Sequence, residues 1–505
     1  MARRGPLHDV ELVDDDEHDD LPPGPDPAPS TSDPGDGRRR TRPLVVGAVV
    51  LTLVVVGAVV GQSVVDGRER ARLAAVAALP GTVDLLSGAP TARWEATDED
   101  LFYGSGLRAA DGSLVGVEHA SDGPVRVVAL DAATGDTLWE VELLDGTTRP
   151  EPDPAAEVSA WSGRCTAYPG QEHLALCWVH DGMSATVDDL FVDLPASAAR
   201  LVLLDTADGS VVADLADALG DPASGTSFTV AGDLVVVGTH GDDGVTEVRA
   251  VTSEGTLAWQ RDVPAVDSQG AYVSTVGDLV ALATETELRL FDAAGRTVRT
   301  VPLHGRRASG GSGEEVYLLP YPDGYERGAG GSAVERSTTT TVVRPEGDVD
   351  VEGDVLFSTV DDGSVPGLVL TTVGGRLTGW GVDGGRLWSA DAVPEEGVLV
   401  LDGRVHVDTG TEVLTLDART GAELWRSDAT NQHPVTDGRH LLALAAVASR
   451  GEQSEIVALD PADGSEMWRG PLPDGTDQVS AYQRLLVAVD LVDGGAGGLR
   501  YTVLG

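Results

Sequence analysis

Cys165 and Cys177 are the only cysteines of the 505-residue chain and stand twelve apart in AWSGRCTAYPGQEHLALCW. Pro169 and Gly170 between them suggest a hairpin, across which two thiols would pair in an oxidising compartment. Buried free thiols are the alternative, and zinc is disfavoured because His173 and His180 fit no ligand spacing. The ten histidines form no readable pair. GDVDVEGD (347–354) gathers carboxylates that suit a hard cation, but it lacks the spacing of a calcium loop and reads as a solvated turn. GSGLRA (104–109) has the look of a dinucleotide loop without a surrounding βαβ unit, so a strand-to-strand turn is expected. No GxSxG, HExxH or GxxxxGK[ST] occurs. These residues offer binding or cross-linking chemistry rather than a catalytic constellation.

Such residues are positioned by a repeat. VVALDAATGDTLW (127–139), VLTLDARTGAELW (413–425) and IVALDPADGSEMW (456–468) share an apolar run, an Asp, a Gly four residues later and a Trp four beyond that. They place Asp131, Gly135 and Trp139, then Asp417, Gly421 and Trp425, then Asp460, Gly464 and Trp468 in register. Looser copies keep Asp205 and Gly209 before Ala213, Gly255 and Trp259 after Val251, Gly384 and Trp388 after Trp380, and a shortened turn from Asp292 to Gly295. Each copy reads as a β-hairpin in which Gly takes positive φ, Asp ties the turn through backbone amides and Trp lies on the second strand. A lone hairpin cannot bury an indole, whereas stacking on the next copy can, so the tryptophans are expected to be cohesive rather than ligand-stacking.

The spacing of the turn glycines sets a unit near 40 to 46 residues, enough for four short strands. Two longer gaps imply insertions, one holding the cysteines and one over 304–345, which could hide a degenerate unit. Near the C-terminus QVSAYQ, RLLVAVDLV and LRYTVLG supply strands without the motif, while Trp94 in TARWEATDEDL has a matching context but no preceding turn. Seven copies plus one composite unit built from both ends predict an all-β, eight-bladed propeller over residues 91–505, seven-bladed as the alternative, with no large free sheet edge.

Residues 1–43, with eleven Asp or Glu among few apolar residues, read as a disordered acidic tail. LVVGAVVLTLVVVGAVVGQSVV (44–65) has 22 uncharged residues, the length of a transmembrane helix. Arg38, Arg39, Arg40 and Arg42 before it favour a cytoplasmic N-terminus, a single-pass anchor in the cell membrane and an extracytoplasmic propeller. A cleaved export signal is the competing expectation. Residues 66–90 would then be a short stalk, of helix-forming composition until Pro80 and Gly81 end the helix. The net charge of −47 disfavours nucleic acid as a partner. Absence of lysine and a single asparagine, Asn431, are what a GC-rich genome would produce.

The ALDAxTGxxLW pattern in VVALDAATGDTLW, TLDARTGAELW and IVALDPADGSEMW resembles the repeat of the PQQ-like, quinoprotein-type β-propellers. That resemblance implies the fold, and it admits three functions. One is a monomeric, non-catalytic scaffold for protein or glycan partners, without a cofactor. Another is an oxidoreductase holding pyrroloquinoline quinone and Ca²⁺ near the axis, although family dehydrogenases commonly carry adjacent cysteines and these are twelve apart. The last is a transmembrane sensor relaying through the acidic tail.

Overall fold

The computed structural model describes residues 67–505 apart from 69, 97–105, 119–122, 149, 151–156, 160–162, 188–189, 220–226, 241–243, 265–271, 311–314, 321–337, 396, 446–453 and 492–498. The acidic tail and the apolar stretch 44–65 lie outside those residues. Among the described residues no helix is long and apolar enough to cross a membrane, so the expected single-pass membrane location is withdrawn.

The repeat builds short antiparallel strands because β-branched and Leu-rich runs alternate with glycine turns, and each sheet buries both of its faces against its neighbours. Nine blades result. Blade 1 joins Gln478–Tyr482, Leu485–Leu491 and Leu499–Leu504 to the N-terminal strand Ala92–Ala96. Blades 2 to 9 follow over 106–144, 163–214, 227–264, 272–302, 307–352, 354–390, 398–427 and 430–471. The buried apolar residues fall into nine clusters, each filled from two successive blades, so every junction of the ring has its own core. The last lies between blades 1 and 2, where Tyr501 and Val503 meet Leu114 and Ala132.

The expected eight blades are thus corrected to nine, and seven is excluded as well. Residues 307–352, within the region treated mainly as an insertion, form a complete four-stranded blade. Its third-to-fourth-strand turn, Arg344 to Gly347, lacks the motif aspartate, and Val351 stands where the tryptophan would be. Gly347 takes φ 155°, against 67° to 79° at the seven motif glycines, so the turn differs in geometry as well as in sequence. GDVDVEGD is correspondingly a strand, Asp348–Glu352, followed by the start of blade 7, rather than a solvated turn. GSGLRA likewise contributes Gly106–Arg108, the first strand of blade 2.

Closure uses both ends of the chain. Ala92–Ala96 pairs antiparallel with Leu499–Leu504, with Trp94 opposite Val503. Residues 70–91, expected to be a stalk, include a helical segment and pack on the propeller. Val76 and Val83 are buried at the junctions of blades 8 with 9 and 9 with 1. Asp84 accepts Arg108 Nη1 at 2.8 Å and Arg484 Nη2 at 2.9 Å, bridging blades 2 and 1. Arg484 is the second of two consecutive non-glycine residues at positive φ, after Gln483, and the Asp84 amide donates to its carbonyl at 2.7 Å. This strained turn is held by the segment that crosses it.

Cys165 and Cys177 face each other across the first two strands of blade 3 and form a disulfide with S–S 2.04 Å. Replacing both by Ser should cost about 2–3 kcal/mol, the entropy of closing so short a loop. A denaturation midpoint unchanged from the parent would contradict this.

His406, on the second strand of blade 8, is 1 % exposed and shares its Nδ1 with Thr415 Oγ1 at 2.7 Å. Burial, reinforced by Arg404, pushes its pKa down to about 3, so the fold holds it neutral. Its contribution is complete above the unfolded value near 6.5 and is lost as pH falls from there toward 3, by up to about 1.4 kcal/mol per pH unit. The stability gap between parent and His406→Gln should therefore shrink between pH 7 and pH 4 in urea titrations. A gap independent of pH would refute it.

Candidate functional site

The motif residues converge on the blade junctions. At five of them the indole N–H donates to the carbonyl of the residue that follows the motif Asp in the next blade: Trp94 to Ala132, Trp139 to Thr206, Trp259 to Ala293, Trp388 to Ala418 and Trp425 to Pro461, at 2.8–3.2 Å. Each of these indoles lies on the turn glycine of that next blade. A Cβ on Gly135, Gly209, Gly295, Gly421 or Gly464 would lie only 2.5–2.7 Å from a ring atom. The aspartates pin the same turns. Asp417 Oδ1 accepts Arg419 N, Thr420 N and the Thr420 hydroxyl, and that hydroxyl is the main reason its pKa is lowered. Asp131, Asp205, Asp292 and Asp460 accept the amide two residues on.

The other four junctions use other contacts. After blade 3, Leu215 is the side chain nearest Gly255. Arg299 reaches the Arg344 carbonyl, and Arg344 in turn reaches the Val382 carbonyl of blade 7. Gly384 rests on Val349. Trp468 faces blade 1, whose third and fourth strands come from opposite ends of the chain and are joined by no turn. Its buried Nε1 has no hydrogen-bond partner among the described residues, and Leu86 from the N-terminal segment packs in the same cluster.

Two further features are not consumed in building the ring. The first is an accessory sheet outside the blades, in the order Leu190–Leu194, Met183–Val187, Glu157–Ser159. Its base is fixed by fully buried Asp181, which accepts Ser197 N, Ala198 N and the Thr148 hydroxyl at 2.5–2.9 Å.

The second is a cavity of about 450 Å³ on the propeller axis, lined by the first strands of blades 2 to 6. These strands are innermost, since those of blades 2 and 3 and those of blades 4 and 5 touch across their junctions. Arg164 is the one charged residue of the described lining, and no acidic residue belongs to it. Its Nη2 donates to the Phe228 carbonyl at 2.9 Å, and the guanidinium carbon lies 4.4 Å from the centre of the Phe228 ring. Burial lowers its pKa, partly opposed by Tyr272. Hydroxyls of Thr166, Thr229, Tyr272, Ser274 and Thr275 and apolar Val230 and Val273 complete the wall, beside Cys165. Arg164, Phe228 and Tyr272 carry no sequence signal beyond lying near strand starts, so motif reading passes over them.

A family model described as outer membrane protein assembly factor BamB, PQQ_2, matches residues 94–316 and 328–495. The chain belongs to this family. No curated protein matches. Among solved structures, BamB from Moraxella catarrhalis is 14% identical with a TM-score of 0.39, covering 82% of this chain and 99% of its own. The C-terminal WD40 domain of Sif2 is 11% identical with a TM-score of 0.37, covering 84% and 99%. Apo AztD from Citrobacter koseri is 15% identical with a TM-score of 0.30, covering 62% and 93%.

The donor set matches poorly the quinone and Ca²⁺ that the PQQ-like resemblance implied. A tricarboxylate quinone with a calcium ion asks for several cations and for carboxylates around the metal. The described lining offers one guanidinium and no carboxylate, and among the described residues no cluster of three His, Cys, Asp or Glu is placed to hold a metal.

Proposed function

We propose that this member of the PQQ_2 family is a non-catalytic scaffold that binds a protein partner through structure displayed on a rigid ring. The observation that carries this reading is the accessory sheet. It adds three strands that no blade requires, anchored at its base by Asp181, with Leu190–Leu194 and Glu157–Ser159 as its two edges. Edge strands are ready templates for an added strand, and recognition by strand addition takes its affinity from main-chain hydrogen bonds. The name of the matched family, an assembly factor, points the same way.

Photocrosslinking tests it. A photoreactive residue at Val192 in the accessory sheet should trap one discrete protein in cells, and one at Asp463, on an outer turn of blade 9, should not. Replacing 183–194 by a short loop should abolish co-purification of that same protein with the chain and leave thermal unfolding nearly unchanged. Equal labelling from both positions, a trapped glycan in place of a protein, or quinone- and Ca²⁺-dependent dye reduction by the purified protein would each reject the reading.

A further inference from the structure

The axial cavity is a binding problem independent of the accessory sheet. The chain carries 82 Asp and Glu against 35 basic residues, all of them Arg, so an arginine has carboxylates in excess to pair with. Many do pair: Arg108 with Asp84, Arg200 with Asp214, Arg344 with Glu315, Arg426 with Glu412 and Arg484 with Asp84. Among the described residues no carboxylate lies within ion-pair distance of Arg164. Its neighbours are a carbonyl and an aromatic ring, both of which stabilise and aim a cation without neutralising it. A guanidinium has five donors and keeps its charge at any physiological pH, and the described residues occupy one of those donors with the Phe228 carbonyl. A half-buried charge left in this state is costly, and an anion arriving from solvent recovers that cost.

The rest of the wall states what else the anion carries. Hydroxyls of Thr229, Ser274 and Tyr272 add donors of the kind that complete a carboxylate's coordination, while half-buried Val230 offers an apolar flank, Phe228 and Val273 being taken up in the junction cores. A volume of about 450 Å³ lies within the range of small-molecule sites, about 300–1,000 Å³. First strands that form the wall are tied to each other at two junctions. Arg164 donates to the Phe228 carbonyl between blades 3 and 4, and Ser227 Oγ accepts the Val273 amide at 3.1 Å between blades 4 and 5. A cavity with cross-linked walls is preorganised for its ligand.

We propose that the axial cavity binds a small organic carboxylate with an apolar or aromatic body, its carboxylate on Arg164 and its body against Val230. The site is chemically distinct from the protein-binding edge and stands or falls separately from it.

Calorimetry on the full chain tests this with benzoate, its neutral isostere benzamide, and sulfate. Benzoate should bind at least tenfold more tightly than benzamide or sulfate. Arg164→Gln should weaken benzoate at least tenfold, and Arg164→Lys should restore part of the loss. Equal binding of benzoate and benzamide, sulfate binding as tight as benzoate, or benzoate affinity unchanged in Arg164→Gln would overturn the assignment. A second measurement needs no variant: photolysis with 4-benzoylbenzoate should label peptides spanning 164–169, 228–230 or 272–275, in competition with benzoate. Labelling confined to other peptides would overturn it. Loss of the Val192 crosslink with carboxylate binding intact would reject the scaffold reading alone.

Discussion

Trp388→Ala is expected to destabilise the propeller by about 3–5 kcal/mol, the range for truncating a buried aromatic side chain. Trp388 is 6 % exposed, packs among Leu377, Val398, Val405 and Leu416, lies on Gly421 and donates to the Ala418 carbonyl at 2.8 Å. Its counterpart Trp468 separates packing from hydrogen bonding, because its N–H has no partner among the described residues. Trp388→Phe should therefore cost about 1 kcal/mol more than Trp468→Phe, the net worth of one hydrogen bond. Paired urea denaturations of the two substitutions read this difference directly, and equal losses would show that the N–H to carbonyl bond adds nothing. The reciprocal change is Gly464→Val. Gly464 has φ 72°, and a Cβ there would lie 2.5 Å from Trp425, so backbone strain and collision act together at one position.

Removing everything before residue 99 should open the ring and lower the melting temperature by roughly 10 °C or more. The truncation deletes Ala92–Ala96, exposes the edge of Leu499–Leu504, and leaves the Gly135 turn without its indole. It also deletes Val83 from the junction of blades 9 and 1 and Asp84 from its two arginines. A synthetic peptide covering 80–98, added in excess, should restore part of the loss, since it re-forms the missing strand and its strap by mass action. A truncated protein that melts like the parent would show that the two ends do not hold the ring together.

The repeat was readable because its three residues meet separate local demands that only a few residue types satisfy. Gly464 must turn with positive φ and leave room for a ring, Asp460 must accept its own turn's amides, and Trp425 must span the gap to the next blade. Trp94 could be assigned to the closing strand on the same grounds, since a motif tryptophan without its own hairpin needs a partner strand from elsewhere. Blade 6 escaped this reading because its junctions depend on different chemistry. Arg299, Arg344 and Val349 do there what tryptophans do elsewhere, and long arginine side chains leave no fixed spacing in a sequence. The cavity was invisible for a related reason. Arg164, Phe228 and Tyr272 lie on three different blades, and only the curvature of the ring brings their strands to one axis.

The amino-acid sequence by itself determined the blade unit, the hairpin turns, the cohesive tryptophans and the pairing of the two cysteines as the favoured outcome. Each of these follows from contacts within a hairpin or from one repeated step to the next. Tertiary structure alone decided the number of blades, the packing of residues 70–91 against the ring, and the meeting of a lone guanidinium with hydroxyls and an aromatic ring on the axis. Those depend on the rotation between successive sheets accumulated around a full circle, and no local pattern of residues encodes that sum.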